Sequence, residues 1–470
     1  MTSDSGGHLV NDVHSALNAT RVARILQPTN LAEIVSLVRS AATQKIPVSV
    51  CGGRHAMGGQ QFGTDTWLVD LRKHATIGAF DEKRGLLTVD AGAQWPEIIA
   101  ACHARHRPGA PAWGIRQKQT GADRLSIGGA LSANIHGRGL RLPPFVNDIE
   151  CFTLVDASGE IRHCSRSSNH ELFRLAIGGY GLFGIVADVT LRLSPRLKVE
   201  RRVEVLTLKE LIRVPEERDT TNWLFGDFQY SIDEASPDFL KRGVFSAYHR
   251  IDDSLPVPPE QKQLREVDWE RLIHLAHTDR ARVFQEYSAY YLSTNGQRYW
   301  SDTHQLSTYL DDYHLALDQR LGATTCGSEM ITELYVPRTA LQPFMERAAE
   351  RLKSHGIPVI YGTIRLIERD TETFLAWARE PWACVIFNLH IDHAPAGIEH
   401  AADAFRGLID VALDFGGSFF LTYHRWARRD QIERAYPQFA DFLRQKDLHD
   451  PEHRFQSDWW RHHHRLFGLS

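Results

Sequence analysis

The sequence contains no cysteine pair and no long hydrophobic run, and each absence excludes a class of protein. Its six cysteines are widely spaced and form no CxxC motif, so neither a disulfide framework nor a zinc site is predicted. No stretch approaches the length that spans a bilayer, and the amino terminus lacks the basic start and apolar run of a signal peptide. We therefore expect a cytoplasmic protein in a reducing compartment, without a membrane partner.

An excess of charge of one sign is also missing. The formal net charge is -4, so no basic face is predicted that would neutralise the phosphates of a nucleic acid. Hydrophobic residues make up 43% and charged residues 24% of the 470 residues, as in an ordinary globular protein. Because this length exceeds the usual size of one compact domain, we expect two domains that share an interface.

Strand and helix signals alternate over residues 20–196, which predicts one α+β domain. A helix is predicted over residues 30–44, where Asn30 can cap and Glu33 lies three positions further on. A second helix is expected at Pro96, since proline suits the first helical turn. Strands are predicted over residues 46–51, 66–71, 85–91, 151–156, 160–165 and 184–193. The charged run 196–202 follows the last of these strands and indicates a boundary, after which a second, aromatic-rich region begins.

The segment after the strand at 46–51 is rich in glycine. Residues 51–60 read Cys-Gly-Gly-Arg-His-Ala-Met-Gly-Gly-Gln, a loop whose backbone N–H groups can cradle a pyrophosphate. His55 lies between the two glycine pairs, and a neutral imidazole can attack an electrophilic cofactor carbon. The alternative interpretations are a structural turn and a loop histidine that makes a hydrogen bond.

Two further glycine-rich segments follow in order. Residues 120–139 crowd small side chains around Gly128 and Gly129 and end in a His-Gly pair at His136, a composition rare in a solvent-exposed loop. Residues 178–191 form a glycine-rich turn that leads into a β-branched strand. Taken alone, this third segment is also typical of a tight turn before a buried strand.

Together these segments resemble the FAD loops of the vanillyl-alcohol-oxidase and p-cresol-methylhydroxylase class of flavoproteins. The resemblance implies an α+β, two-domain flavoprotein, in which an FAD-binding domain of this type joins a substrate (cap) domain with a mixed sheet flanked by helices. It also implies that His55 bonds covalently to the flavin 8α-methyl carbon. Because residues 120–139 contain no cysteine, a single 8α-N-histidyl link is expected.

The resemblance implies boundaries and a set of binding residues. The expected divisions are a flexible leader (1–19), the FAD-binding domain (20–200), the cap domain (201–430) and a carboxyl-terminal segment that returns to the FAD domain (431–470). The residues implied to bind FAD are Cys51, Gly52, Gly53, Arg54, His55, Ala56, Met57, Gln60, Thr120, Gly121, Asp123, Ser126, Gly128, Gly129, Ser132, Asn134, His136, Gly137, Gly181, Gly184, Ile185 and Val186.

Residues 333–338 of the second region, Glu-Leu-Tyr-Val-Pro-Arg, resemble the Glu-x-x-Val-Pro strand of sugar-alcohol and aldonolactone oxidases. Residues 363–366 resemble the strand that follows, although Thr363 stands where those enzymes usually have glutamate. Arg365 in this segment is expected to stabilise the charge of the reduced flavin ring.

The base that removes a hydroxyl proton is expected to be a histidine, since imidazole titrates near neutral pH. His424 is favoured, because residues 423–428 resemble the His-Trp segment of the same family, and Glu333 and His390 are substitutes. An extra residue before the tryptophan leaves Arg425 and Arg428 as rivals for the cationic position.

The expected function is FAD-dependent oxidation of a small alcohol, polyol, lactone or aromatic alcohol by hydride transfer, with oxygen or another acceptor taking the electrons. The alternatives are a reductase or double-bond-forming enzyme on the same fold, and a non-catalytic flavin-binding protein. No metal is assigned, because the side chains of the adjacent residues His462, His463 and His464 point in different directions. The oligomeric state stays open.

Overall fold

A computed structural model describes residues 7–468 except 108, 110, 308, 309 and 311. The strands of its first region are β1 His8–Val10, β2 Thr20–Val22, β3 Arg24–Leu26, β4 Val48–Cys51, β5 Trp67–Asp70, β6 Ile77–Asp81, β7 Leu86–Asp90, β8 Trp113–Gly114, β9 Ile149–Val155, β10 Ile161–Ser165 and β11 Ile185–Arg192. Its helices are α1 Leu31–Thr43, α2 Trp95–Ala104, α3 Ile127–Ala133 and α4 His170–Ala176.

The predicted α+β character of this region is confirmed, and local signals account for its elements. The side chain of Asn30 accepts a hydrogen bond from the backbone N–H of Glu33 at 2.9 Å, which caps α1 as predicted. The two larger sheets of this region are a parallel one in the order β3-β5-β4 and an antiparallel one in the order β10-β9-β11-β7-β6. α1 packs against β9 and β11 of the antiparallel sheet.

The described part of the predicted flexible leader contains a paired strand and hydrogen-bonded side chains. β1 pairs with β2 in antiparallel register, and the buried carboxylate of Asp12 accepts hydrogen bonds from both the backbone N–H and the hydroxyl of Ser15. These contacts satisfy the polar groups of residues 8–15 and hold the segment against the first domain. They also bring His14 to the cavity described below.

The second region contains one large sheet and most of the helices. Its strands are β12 Ser194–Pro195, β13 Lys198–Thr207, β14 Trp223–Tyr230, β15 Arg242–Arg250, β16 Arg298–Trp300, β17 Gly327–Pro337, β18 Val359–Ile367, β19 Trp382–Asp392 and β20 Ser418–Phe419. Its helices are α5 Leu208–Glu217, α6 Glu266–Thr278, α7 Arg280–Leu292, α8 Tyr313–Leu321, α9 Leu341–His355, α10 Pro395–Asp414, α11 Arg429–Ala435, α12 Phe439–His449 and α13 Asp458–Leu466.

The large sheet has eight strands in the order β16-β13-β15-β14-β18-β19-β17-β20. Every recorded pairing in it is antiparallel, whereas the resemblance implied a mixed sheet. Along β17 the side chains alternate between two environments. Glu329 and Glu333 face a cavity, while Met330 and Leu334 join the core beneath α9 and α10. One face of the sheet is therefore a wall of the cavity.

The carboxyl-terminal segment contacts the first region. The backbone N–H of Val48 in β4 donates to the carbonyl of Arg454 at 2.6 Å, and Gln456 N–H donates to the Val48 carbonyl at 2.9 Å. The hydroxyl of Thr64 donates to Asp458 at 2.8 Å. Among the helices that the structure describes, none combines the length and the apolar character needed to cross a membrane.

Candidate active site

A cavity of about 1110 Å³ lies between the two regions. The glycine-rich segments of the first region line one side, and β17, β18, α6 and α7 line the other. Typical pockets for single small ligands measure about 300–1,000 Å³, so this cavity can hold a large cofactor together with a small substrate.

Most of the residues implied to bind FAD lie on the wall of this cavity. They are Cys51, Gly52, Gly53, Arg54, His55, Ala56, Met57, Gln60, Thr120, Gly121, Asp123, Ser126, Gly128, Gly129, Ser132, His136, Gly181, Gly184 and Val186. The spatial convergence of three segments far apart in sequence supports their common role.

Three residues of that set lie away from the cavity wall and correct the expectation. Asn134 is fully buried, and its amide donates to Asp370 at 2.9 Å, which ties the first region to the second. Gly137 packs so tightly that a Cβ would lie 2.8 Å from the carbonyl of Lys118. Ile185 is in the core of the first region, because alternate residues of β11 face opposite sides.

The glycine loops fit a flat, phosphate-bearing cofactor. A Cβ on Gly52 would lie 1.9 Å from Ser126 Oγ, so the first two loops can meet only without a side chain there. At Gly181, with φ at +74°, the described structure leaves open space next to the backbone. Gln60 Oε1 and Arg54 Nε are buried and have no hydrogen-bond partner among the described residues. Polar atoms of this kind suit a ligand that supplies the missing partners.

His55 is held by contacts to both of its ring nitrogens. Nε2 lies 3.0 Å from the carbonyl oxygen of Arg124, and Nδ1 lies 2.8 Å from Nε2 of His14. Because a carbonyl oxygen only accepts, Nε2 of His55 carries a proton, and in the neutral ring the lone pair is on Nδ1. The ring is thus fixed on the cavity wall with a defined tautomer.

Glu333 is the carboxylate on the opposite wall. Its Oε1 lies 2.7 Å from Nε2 of His136, and the hydroxyl of Tyr335 also donates to it. Burial raises the pKa of Glu333, but the imidazole of His136 and the guanidinium of Arg365 outweigh burial and hold that pKa below its usual value. The hydroxyl of Tyr423, on the same wall, donates to Oε2 at 3.3 Å. The group is therefore an ionised carboxylate that faces the cavity.

Arg365 also lies on the cavity wall, on the same side as this carboxylate. Its Nη2 donates to the hydroxyl of Thr120 in the second glycine segment, and its Nε has no hydrogen-bond partner among the described residues. Arg365 thus connects β18 with the second glycine segment.

His424 does not reach the cavity, which argues against the predicted role as base. Its ring is buried among aromatic side chains, with the ring centroid of Phe405 at 4.7 Å and that of Trp426 at 5.6 Å. Burial lowers the pKa of His424 to about 3. Arg425 is likewise absent from the cavity lining, and Arg428 forms ion pairs with Asp410 and Asp430 instead.

We expect His424→Phe to leave turnover nearly unchanged and to reduce the acid sensitivity of the fold. The unfolded imidazole gains a proton below about pH 6.5, whereas the buried ring stays neutral, so stability is present above that pH and is lost as the pH falls toward 3. At pH 5 this linkage amounts to about 2 kcal/mol, which the variant avoids. Urea unfolding at pH 7.5 and 5.0 measures the difference. A hundredfold loss of turnover with normal flavin content would restore His424 as a catalytic candidate.

His390 lies on the same face of β19 as the cavity-lining Asn388, but beyond the cavity wall. Its Nδ1 is 3.2 Å from Glu329 Oε1, within a cluster of histidines. The structure therefore places His390 with Glu329 and not with Glu333.

Several cavity residues were missed from the sequence, Arg201 among them. It belongs to the charged run interpreted as a boundary, yet its guanidinium is buried against the rings of Tyr248, Tyr291 and Tyr299. The alternation of Val199, Arg201 and Val203 on the buried face of β13 is a signal that could have identified it. Several residues of the aromatic-rich second region also line the cavity, namely Tyr287, Tyr290, Tyr291, Tyr299 and Trp300.

The cavity and its glycine loops fit an FAD cofactor, and comparisons with known proteins agree. Residues 22–165 match a family described as an FAD binding domain. An uncharacterized oxidoreductase from the fasciation locus of Rhodococcoides fascians is 29% identical over 36% of this chain and 37% of its own length. L-gulono-1,4-lactone dehydrogenase of Mycobacterium tuberculosis is 22% identical over 93% of this chain and 95% of its own length. L-gulonolactone oxidase of Bos taurus is 28% identical over 40% of each chain.

Residues 22–165 therefore match an FAD-binding domain, as the three glycine loops implied, and the chain is similar to FAD-linked oxidoreductases. The matches with the Rhodococcoides and Bos taurus proteins span only 37% and 40% of the lengths of those relatives.

Proposed function

We propose that this protein oxidises a hydroxyl-bearing carbon of a sugar-derived lactone or a similar polyhydroxylated molecule, with FAD attached covalently through His55. The mycobacterial relative that matches over 93% of the chain is named a lactone dehydrogenase, which supports this substrate class. In this proposal residues 20–200 bind FAD, residues 201–430 form the cap, and residues 431–470 close onto the FAD domain. The cytoplasmic location stays a prediction.

The polar character of the cap side of the cavity carries the proposal. Next to Glu333 and Arg365, the wall presents Asn388, whose Oδ1 has no hydrogen-bond partner among the described residues. It also presents Tyr361, whose hydroxyl oxygen accepts from Gln229 at 2.8 Å and keeps its own proton to donate. Such alternating donors and acceptors suit a molecule with several hydroxyl groups.

Bound FAD supplies a two-electron hydride acceptor, and the chain supplies positioning and proton transfer. Glu333 accepts the hydroxyl proton of the substrate, because it is ionised and faces the cavity. Tyr423 donates to Glu333 and connects the carboxylate with the bound hydroxyl group. Arg365 supplies a positive charge that stabilises negative charge developing at this end of the cavity. Oxygen or another acceptor then takes the electrons.

Anaerobic reduction of the bound flavin tests the substrate class. We expect L-gulono-1,4-lactone or a related aldonolactone to bleach the visible flavin absorbance within seconds, because its hydroxyl groups match the polar wall. A polyol, an aromatic alcohol, NADH and NADPH form the comparison set. Admission of air to the reduced protein then distinguishes an oxidase, which regains its colour at once, from a dehydrogenase.

Two results would contradict the proposal. Rapid bleaching by NADPH with no response to any alcohol would favour the reductase alternative. A flavin that none of the compounds reduces, in protein that dithionite still reduces, would favour a non-catalytic flavin-binding protein.

A further inference from the structure

A second polar cluster is centred on Glu329, four residues before Glu333 on β17. The carboxylate is 3% exposed, and two imidazoles from different elements converge on its Oε1. Nε2 of His277 in α6 lies 3.0 Å away, and Nδ1 of His390 in β19 lies 3.2 Å away. All three ligand atoms lie within 4.8 Å of one another. A helix and two adjacent strands thus point metal-binding atoms at one place.

The other oxygen of Glu329 is held separately. The hydroxyl of Tyr313 donates to Oε2, and Nδ1 of His314 lies 3.0 Å from the same oxygen without the alignment of a hydrogen bond. Nε2 of His314 donates to the carbonyl of His14 at 2.9 Å, which fixes the ring beside the carboxylate. Tyr313 would fix the orientation of the carboxylate toward a cation bound at Oε1.

We infer that His277 Nε2, His390 Nδ1 and Glu329 Oε1 form a binding site for a divalent transition metal, zinc in the first place. Two imidazoles and one carboxylate are a ligand set that zinc uses when a fourth position remains for water or substrate. With metal–ligand bonds of about 2.0–2.1 Å, tetrahedral ligand atoms lie about 3.3 Å apart. The distances of 3.0 and 3.2 Å from Oε1 to the two nitrogens are close to this spacing.

A metal ion at this position would connect two elements of the fold. His277 lies in the last turn of α6, whereas Glu329 and His390 are paired neighbours on β17 and β19, so the metal would fasten the helix to the sheet. Glu329 also lines the cofactor cavity, which lets the fourth position meet water or a substrate oxygen. The site is separate from Glu333 and Arg365, and its existence does not depend on the proposed substrate.

The test uses flavin-loaded protein made without a polyhistidine tag. After treatment with a chelator and dialysis against zinc chloride, mass spectrometry of the metals should find about one zinc ion per chain. Zinc should also raise the Tm of the chelated protein by several degrees, because it binds the folded state. The double variant His277→Ala/His390→Ala should bind zinc more than about 100-fold more weakly.

His464→Ala is the matched control, since His464 belongs to a different group with Asp447 and His453. It should bind zinc like the unchanged protein, and normal flavin absorbance verifies that each variant folds. If the double variant lacks flavin, the single variant His390→Ala, at a position 24% exposed, should still weaken zinc binding at least about tenfold. Absence of stoichiometric zinc in the unchanged protein, or equal zinc binding in the double variant, would overturn the inference.

Discussion

Glu333→Gln is expected to lower kcat/KM by about 10²- to 10⁴-fold while the FAD content stays unchanged. The amide has the volume of the carboxylate and can still accept from His136, but it cannot take a proton from the substrate. The loss should appear in kcat more than in KM, because proton transfer belongs to the chemical step. Stopped-flow reduction of the flavin by the lactone measures that step directly.

Glu368→Gln is the matched control for this prediction. Glu368 follows β18 directly, pairs with Arg338 at 2.8 Å, and lies outside the cavity lining. Its variant should reduce flavin at the normal rate. A Glu333→Gln protein that is equally fast would remove Glu333 from the chemistry and direct attention to Tyr423.

The cofactor side of the site could be predicted from sequence because its information is local. Gly52 is required because a Cβ there would clash with Ser126, and Gly181 is favoured because its φ is positive. The resulting glycine pattern can be seen directly in the sequence. The cap of α1 is local in the same way. The three loops therefore predicted both the fold class and most of the residues of the cofactor side of the cavity wall.

The candidate catalytic residues could not be predicted in the same way. Whether such a residue reaches the cavity depends on which face of its helix or strand is buried, and on which elements pack against that face. His424 has the chemistry of a base, but the packing of α10 and its own segment encloses it in aromatic rings. His390 alternates correctly with Asn388 on β19, yet the extent of the cavity along the strand decides that only Asn388 lines it. Tertiary packing overrides residue type in both cases.

Thr363 illustrates the limit of motif comparison. It stands where the sugar oxidases usually have glutamate, and this difference weakened the polyol expectation. In the structure Thr363 is fully buried and lies outside the cavity lining, two residues before the cavity-lining Arg365. The carboxylate of the site comes instead from Glu333 on β17, so the difference at 363 does not remove the acid-base group.

His55→Ala is expected to abolish covalent flavin completely. The proposed link needs a ring nitrogen of His55, and residues 120–139 offer no cysteine that could replace it. Acid precipitation should leave a yellow, fluorescent pellet from the unchanged protein, and a colourless pellet with free FAD in the supernatant from the variant. The variant should still bind FAD before acid treatment, because the glycine loops and the buried polar atoms of Gln60 and Arg54 remain.

His106→Ala, at an exposed histidine of the same region, should retain the yellow pellet and serves as the control.

The side chain of His14 orients the His55 ring. His14 Nε2 lies 2.8 Å from His55 Nδ1, and burial together with His55 lowers the pKa of His14 well below its usual value. His14 is therefore neutral, and its Nε2–H orients the His55 ring by donating to Nδ1 without adding a charge. A colourless pellet from the unchanged protein would contradict the covalent link while leaving FAD binding itself intact.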